Sequence, residues 1–507
     1  MQTPPVVFIG WPSEPGPRPA AVYIEPRSIG KIRGASMAGS RANRAKRDES
    51  IPSGRLRRTA EVGGLVGGQA VRAYATRAAN LTRSADAGRA AAERRQIEAA
   101  EQIVEVLGHM KGVAMKVGQV ASFIDLAGLP PDARDGFQAK LAALRDSAPR
   151  VSFEQMRKVI EDDLEERLEE VFDEFEPDAV AAASIGQVYR ARLADGRRVA
   201  VKVQYPRVAA AVRADLQNIG LLLRAAKRLA PALDVKAVAA ELRERLIEEL
   251  DYEHEAQEQR AFARDFDGHP FIVVPKVMTE LSRERVLVSE WIDGVGFEDV
   301  KRLDRSARDR FGEIVFRFFY GSLYRDGHFS GDPHPGNYLL MDDGRVAFLD
   351  YGMTKRIRPE HLEHEKAAIR AALDGDAAGV RANLAALGFF DLEDSGIDSQ
   401  QLLAYVSSFH EWHAEDRPFT ITRSYVSRLI SNAEPGSRNW ELEKRLSMPP
   451  EALFARRLET LTLGVLGQLE TRANWHRIMG ELLEGAEPST ELGRQEAAFF
   501  GLAVTGS

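Results

Sequence analysis

The sequence predicts an α+β fold with two lobes: a small lobe built on a β-sheet and a larger, mostly helical lobe, with a helical extension ahead of both. Three observations predict it. Apolar residues recur every three or four positions at about 87–126, which indicates an amphipathic helix. Short β-type runs joined by turn residues occupy about 183–203. Beyond about 290 the helical pattern returns and dominates.

The extension is predicted from one apolar stripe that contains Ile103, Leu107 and Met110 and continues to Ile124. Such a stripe covers one face of a helix. Gly128 and the two prolines that follow end it. A second helix is predicted over 132–145, and Ser152 is placed to cap a third.

The small lobe is predicted from strands on either side of an Asp-Gly turn at 195–196, since Asp-Gly favours tight hairpins. A second Asp-Gly turn, at 343–344, predicts another hairpin inside the helical lobe. The predicted strands are 183–193, 199–203, 271–274, 285–290, 338–340 and 346–349, and the predicted helices between them are 208–228 and 235–264.

Five regions follow from these patterns and from the 507-residue length. They are a basic, Pro/Gly-rich tail at 1–50, the helical extension at 51–150, the first lobe at 151–290, the second lobe at 291–485 and a C-terminal tail at 486–507. The basic run at 41–47 fits either a solvated tail, which we favour, or contact with anionic lipid.

Composition excludes several classes of function. A net charge of -7 argues against a general nucleic-acid binder. The chain has no cysteine, which excludes disulfides, thiolate metal sites and cysteine nucleophiles and suits a reducing cytoplasm. We find no uninterrupted apolar run of about 18 residues, so we expect no transmembrane helix.

The strongest chemical signal is Asp332-Pro-His-Pro-Gly-Asn337, followed by the second hairpin and then Asp350-Tyr-Gly352. In protein kinases an aspartate five residues before an asparagine forms the catalytic loop, and a later Asp-Phe-Gly binds the metal. Phosphoryl transfer needs a carboxylate at the acceptor oxygen and oxygen ligands on Mg²⁺. Asp332 is therefore the predicted catalytic aspartate, with Asn337 and Asp350 on the metal. We interpret His334 as structural.

Two further signals lie in the first hairpin. Val199-Ala-Val-Lys202 places a lysine on a strand, where kinases keep the lysine that binds the α- and β-phosphates. Upstream, a run of small residues stands where kinases have a glycine-rich loop, and small residues let the backbone approach phosphate. The candidate residues of this loop are Ala181, Ala182, Ala183 and Ser184.

The acidic run at 248–255 is predicted to supply a carboxylate to Lys202, and Glu255 and Glu249 are the favoured partners. Asp251 and Glu255 are four apart and share a helix face. On the extension, Lys116 and Gln119 in Lys116-Val-Gly-Gln119 project together, away from the apolar stripe. Each of these motifs alone is weak.

Taken together, the motifs resemble those of the UbiB (AarF-type) family of atypical kinases, over roughly 50–480. The motifs of that family are, in order along the chain, Lys-x-Gly-Gln, an alanine-rich loop ending Ser-Ile-Gly-Gln-Val, Val-Ala-x-Lys, Glu-x-Asp, Asp-Pro-His-Pro-Gly-Asn and Asp-Phe-Gly. Ser330-Gly331 stands where the family more often has His-Ala, and Tyr351 replaces phenylalanine. The resemblance implies a bilobal protein-kinase-like fold that uses ATP and Mg²⁺.

The resemblance also implies residue roles. Lys202 would hold phosphate and pair with Glu255, while Lys116 and Gln119 would fold over the nucleotide and Lys116 would meet Glu249 and Asp251. Such an extension would exclude a protein substrate, which implies a small-molecule or lipid-related substrate and a role in quinone metabolism. The backbone of Glu290 and Trp291, after the strand at 285–290, resembles the hinge that reads adenine.

Two alternatives stay open beside an active kinase or ATPase. One is a nucleotide-gated scaffold with negligible turnover, and the other is a small-molecule kinase of the aminoglycoside-phosphotransferase type, which would lack the Lys116-Val-Gly-Gln119 helix. The apolar segment 65–75 with its flanking arginines supports only a weak interfacial helix. We therefore expect a cytoplasmic protein and keep peripheral contact with the inner face of the membrane as a hypothesis.

Overall fold

The computed structural model describes residues 151–183, 185–216, 243, 247, 250–394, 396–432, 437–447 and 449–502. Three predicted segments lie outside these residues: the N-terminal tail at 1–50, the segment 65–75, and the helical extension with its helices at 87–126 and 132–145. Within the described ranges the chain combines helices with small sheets, as the α+β class requires.

Helices make up most of the described chain. In order they are α1 Phe153–Leu164, α2 Leu168–Val171, α3 Val208–Leu216, α4 Tyr252–Asp265, α5 Phe297–Val300, α6 Arg305–Gly321, α7 Pro359–Leu373, α8 Ala377–Ala386, α9 Ser399–His410, α10 Arg423–Ser431, α11 Trp440–Glu443, α12 Pro450–Leu469, α13 Trp475–Glu484 and α14 Glu491–Phe500. Short 3-10 turns occur at Thr279–Leu281, Pro335–Asn337 and Glu411–His413, and a π-helical turn at Ser322–Asp326.

The strands are short. They are β1 Phe172–Phe175, β2 Ala181–Ala183, β3 Gly186–Leu193, β4 Arg198–Gln204, β5 Ile272–Val273, β6 Val286–Glu290, β7 His328–Ser330, β8 Tyr338–Leu340, β9 Val346–Phe348, β10 Thr354–Arg356, β11 Phe419–Thr420 and β12 Arg472–Ala473.

The main sheet has the order β1-β3-β4-β6, with β2 also paired to β3, and all its pairings are antiparallel. Gly196 has φ +86 at the predicted turn between β3 and β4, a conformation that glycine adopts at no steric cost. The predicted strand 183–193 is wrong in one respect. The chain turns back near its start, so that Ala183 of β2 pairs with Gly186 of β3 in a short additional hairpin.

Smaller sheets follow in the helical part of the chain. β8 and β9 form the predicted second hairpin, with Gly344 at φ +83 in its turn, and β5 adds to β9 in parallel. β7 pairs with β10. These pairings hold the segments around 332–337 and 350–352 side by side, because β7 and β8 flank the first segment and β9 and β10 flank the second.

The predicted helix at 235–264 is wrong at its centre. Leu250 lies in a turn and Asp251 is extended, with φ -118 and ψ 95. Asp251 caps α4 by accepting hydrogen bonds from the backbone N–H groups of Glu253 and His254. An N-cap aspartate satisfies amides that have no partner within the helix, so α4 begins at Tyr252. The predicted cap at Ser152 is confirmed by the start of α1 at Phe153.

The core of the helical part is aromatic. α6 is buried over its whole C-terminal half, from Phe311 to Gly321. Phe318 stacks on Phe348 of β9 with ring centroids 3.7 Å apart, and Trp475 is fully buried against Phe316. α12 adds Phe454, Leu458 and Leu466 to the same core. No helix among the described residues is long and apolar enough to cross a bilayer.

Candidate active site

Lys202 lies on the face of β4 that is turned away from the core of the sheet. Val199, Val201 and Val203 are fully buried on the opposite face, because side chains alternate along a strand. The Lys202 side chain is 19% exposed, and its Nζ lies 2.6 Å from Glu255 Oε1 and 3.5 Å from Asp350 Oδ2. The lysine therefore bridges two carboxylates from distant parts of the chain.

Glu255 occupies the first turn of α4 and its side chain is 4% exposed. Burial of the Lys202 ammonium opposes its charge, but Asp350 and Glu255 outweigh that burial and raise the pKa of Lys202 well above its ordinary value. A buried carboxylate is stable in its charged form only beside such a partner. The predicted Lys202–Glu255 pair is thus present in the structure.

Asp332 and Asn337 are held together in the loop between β7 and β8. The Asn337 amide Nδ2 lies 3.3 Å from Asp332 Oδ2 and 3.2 Å from the Asp332 carbonyl oxygen, and donates to both. His334 Nδ1 accepts a hydrogen bond from the Gly336 N–H. That bond stabilises the turn and agrees with the structural interpretation of His334.

Asp350 lies two residues beyond the end of β9 at Phe348. Its Oδ1 accepts a hydrogen bond from the Gly352 N–H at 3.1 Å, and the Leu349 N–H donates to the Asn337 carbonyl at 2.8 Å. The second contact brings the two predicted motifs together. A Cβ on Gly352 would lie 3.3 Å from Glu255 Oε2, so the glycine permits the close approach of α4.

Tyr351 is fully buried, and its hydroxyl donates to the Phe348 carbonyl. A buried phenol needs such a partner. The tyrosine hydroxyl therefore has a hydrogen-bond partner in the core, at the position where the motif has phenylalanine.

The alanine-rich segment forms the β2–β3 hairpin beside Lys202. Ala181 of β2 pairs with Val188 of β3, and Val188 pairs on its other side with Lys202 of β4. A Cβ on Gly186 would clash with the Val203 carbonyl, so the backbones of β3 and β4 approach closely there. Ala181, Ala182 and Ala183 therefore lie one strand away from β4, with β3 between them, while Ser184 is outside the described residues.

At the predicted hinge, the backbone N–H of Glu290 donates to the Lys276 carbonyl and that of Trp291 to the Arg198 carbonyl. Both amides are occupied within the sheet. The Trp291 ring lies under the Arg190 guanidinium at 4.2 Å, and its Nε1 donates to Asp293. Any backbone donor to adenine would come from a residue after Trp291.

The remaining predicted residues belong to the extension and the acidic run. Lys116, Gln119 and Glu249 lie outside the described residues, so their convergence on the site stays a prediction. Asp251 is described, and its carboxylate caps α4.

Sequence reasoning missed Glu258 and His328, whose side chains contact each other next to the site with Glu258 Oε2 2.7 Å from His328 Nε2. A signal existed for one of them: Glu258 stands three residues after Glu255 and shares its helix face. Nothing in the sequence indicated that His328, four residues before Asp332, was its partner.

The donor set suits a magnesium ion. Asp332, Asn337 and Asp350 offer carboxylate and amide oxygens, the ligand type that Mg²⁺ prefers, and Mg²⁺ usually keeps waters and phosphate oxygens in its shell. Across the described ranges no three histidine or acidic side chains form a closed metal shell.

Comparisons with known proteins show which proteins this chain resembles. The model of the ABC1 atypical kinase-like domain matches residues 143–384. The chain is 29% identical to the mitochondrial atypical kinase COQ8B of Rattus norvegicus over 81% of this chain and 76% of that protein. It is 35% identical to an uncharacterized Synechocystis protein over 51% of this chain, but spans only 38% of that protein.

A solved structure is also similar. It is the complex of the Mycobacterium tuberculosis protein Rv3197 with erythromycin, which is 31% identical and superposes with a TM-score of 0.57. The match covers 76% of this chain and 96% of the other. The residues matched by the family model, 143–384, include both Lys202 and Asp350.

Proposed function

The chain belongs to the ABC1 atypical kinase-like family, and we propose that it is an ATP- and Mg²⁺-dependent kinase or ATPase of the UbiB type. The observation that carries the proposal is the position of the Lys202 ammonium between Glu255 and Asp350. In kinases a strand lysine held by a helix carboxylate, beside the metal-binding aspartate, marks a site competent for phosphoryl transfer.

Each residue then has one task. Lys202 binds the nucleotide phosphates, and Glu255 keeps its ammonium directed at them. Asn337 and Asp350 would hold Mg²⁺, which would neutralise charge on the transferred phosphoryl group. Asp332 orients the acceptor oxygen and takes up its proton on a carboxylate oxygen, while its hydrogen bond with Asn337 fixes the carboxylate relative to the metal-binding amide.

The same proposal assigns the rest of the cleft. The β2–β3 hairpin covers the phosphates, and the Glu290 carbonyl together with the chain after Trp291 reads adenine. In the bilobal arrangement that we propose, the sheet forms the first lobe and the chain from 291 onward the second. The helical extension would place Lys116 and Gln119 over the nucleotide.

We propose a small-molecule or lipid-related acceptor. An extension over the site would exclude a folded protein substrate, and the similar proteins include the chloroplastic ACTIVITY OF BC1 COMPLEX KINASE 1 of Arabidopsis thaliana. With such an acceptor, we propose that this chain supports quinone metabolism on the cytoplasmic side of a membrane.

The test separates catalysis from binding. Asp350→Asn removes a metal-binding charge, and Asp343→Asn makes the same change in the exposed turn of the second hairpin. We expect Asp350→Asn to lower ATP turnover by on the order of 10²-fold, as when one electrostatic stabiliser is lost, and Asp343→Asn to leave turnover unchanged. Absence of turnover in the native chain, with nucleotide bound equally by both variants, would favour the scaffold instead.

Membrane association has its own test. Flotation with liposomes of anionic lipid compares the full chain with a chain that begins near residue 85, which lacks the segment 65–75. We expect the full chain to float and the shortened chain to remain in the dense fraction. Equal flotation of the two would remove the membrane proposal and leave the nucleotide chemistry unaffected.

A further inference from the structure

A hydrogen-bonded pair of side chains outside the assigned residues joins α4 to β7. Glu258 Oε2 lies 2.7 Å from His328 Nε2, and the side chains are 19% and 5% exposed. The hydrogen bond with His328 holds the pKa of Glu258 below its ordinary value. Neither residue was assigned a role in the site above.

The positions of the two partners connect the pair with the site. Glu258 is one helical turn after Glu255 on α4. His328 opens β7, the strand that leads to Asp332, and it pairs with Arg356 of β10, which follows Gly352. The pair therefore ties the helix that carries Glu255 to the strands next to both catalytic segments.

Two more contacts reinforce the connection. The Thr354 hydroxyl of β10 donates a hydrogen bond to Glu258. The Phe262 ring, one further turn along α4, lies 4.6 Å from the His328 ring and 4.9 Å from the Tyr351 ring. Three successive turns of α4 thus contact the site lysine, β7 with β10, and the tyrosine after Asp350.

We propose that the Glu258–His328 pair is a positioning device, which fixes α4 so that Glu255 reaches the Lys202 ammonium. The inference rests on the proposed function, since the position of Lys202 has consequences only if Lys202 binds phosphate. A displacement of α4 by about 1 Å would separate Glu255 from Lys202, and misplacements of that size cost up to about 10²-fold in rate.

The first experiment measures kcat and KM for Mg-ATP in matched variants. Glu258→Leu removes the carboxylate, and His328→Phe removes the donor but keeps a ring beside Phe262. We expect either change to lower kcat by about 10- to 100-fold. Glu258→Gln keeps an acceptor and should retain most of the activity, and Gln257→Leu, on the exposed neighbouring face of α4, should match the native chain.

The second experiment repeats Glu258→Leu and His328→Phe in a Glu255→Gln background. A pair that acts through Glu255 has nothing left to position there, so we expect no further loss of kcat. Residues that act as one unit give such non-additive effects. A full additional loss in that background, or native kcat in both single variants, would overturn the proposal.

A third measurement does not depend on turnover. Hydrogen exchange of the α4 and β10 amides reports whether the pair holds these elements together. We expect faster exchange at both in Glu258→Leu and native exchange in Gln257→Leu, and unchanged exchange in Glu258→Leu would refute the positioning role. If the native chain hydrolyses no ATP, the proposed function fails, and the exchange result alone decides the fate of the Glu258–His328 inference.

Discussion

The Lys202 ammonium lies 2.6 Å from the Glu255 carboxylate, although 53 residues separate the two in sequence. Because Asp350 and Glu255 raise the pKa of Lys202 well above its ordinary value, the lysine remains charged at neutral and mildly alkaline pH. The site therefore presents a permanent cation, which a triphosphate can share with the two carboxylates.

Lys202→Met tests that cation directly. The variant keeps most of the side-chain volume but removes the charge that would meet the phosphates, and we expect ATP turnover to fall by on the order of 10²-fold. Lys276→Met, at an exposed lysine paired with Asp267, is the matched control and should retain full turnover. Equal turnover in the two variants would contradict the role of Lys202.

The Lys202–Glu255 pair could be predicted from sequence because each residue stands in a motif with a recognised partner. The start of α4 could not be predicted in this way. The acidic run continues the helical pattern through Leu250 and Asp251, and only the folded chain shows that Asp251 accepts from Glu253 and His254. A capping aspartate and a helical aspartate look alike in a charged run.

Glu258 and His328 were missed for a different physical reason. Periodicity shows which residues share a face of α4, but it does not show which strand packs against that face. That pairing depends on the short strands β7 and β10, each only three residues long. Strands of this length have too few residues for alternation to mark them.

Gly352→Ala tests the close approach of α4 to the metal-binding segment. The added Cβ would lie 3.3 Å from Glu255 Oε2 and 3.5 Å from Asp350 Oδ1, so at least one carboxylate must move. Gly352 is not among the glycines with positive φ, and the effect is therefore steric. We expect turnover to fall by about tenfold, a rate cost typical of small misplacements at an active site.

The control for Gly352→Ala is Gly464→Ala in the middle of α12. No heavy atom would come within 4 Å of the new Cβ there, and replacing a helical glycine by alanine stabilises a helix by about 1 kcal/mol. Native turnover in Gly464→Ala and reduced turnover in Gly352→Ala is the expected result. Native turnover in both would show that α4 does not need the glycine.

Arg317→Met tests whether the C-terminal helices are held by charge. The Arg317 side chain is 1% exposed and forms ion pairs with Glu313 of α6, Glu481 of α13 and Glu496 of α14. Removing one partner of a buried pair leaves uncompensated charge and costs about 3–5 kcal/mol. We expect a much lower thermal unfolding midpoint for Arg317→Met, with turnover intact at temperatures where the variant remains folded.

Arg477→Met is the matched control for Arg317→Met. Arg477 pairs with Asp416 at the surface, where both side chains are about half exposed. Such exposed pairs contribute little because water and salt screen them. We expect an unfolding midpoint close to that of the native chain, and an equal loss in the two arginine variants would contradict the importance of burial.

His269 makes stability depend on pH in a predictable direction. Burial, together with the charges of Arg325 and Arg317, lowers the pKa of His269 to about 3, and its Nδ1 accepts a hydrogen bond from the Ile272 N–H. The unfolded chain has the ordinary histidine pKa of about 6.5. Between these values the unfolded state binds a proton that the folded state does not, so acid favours unfolding.

The free energy of unfolding should therefore fall as pH decreases from about 6.5 towards 3, with His269 contributing up to about 1.4 kcal/mol per pH unit. His269→Asn removes the titrating group, and its amide oxygen can still accept from Ile272. Urea unfolding of both chains at pH 7.5, 6.0 and 5.0, chosen to bracket the unfolded pKa, gives the two slopes. Below pH 6.5 we expect the free energy of unfolding to depend less steeply on pH in His269→Asn than in the native chain. The variant lacks only the His269 contribution, because its other titratable groups are unchanged. Identical slopes would show that His269 is not neutral in the folded state over this range.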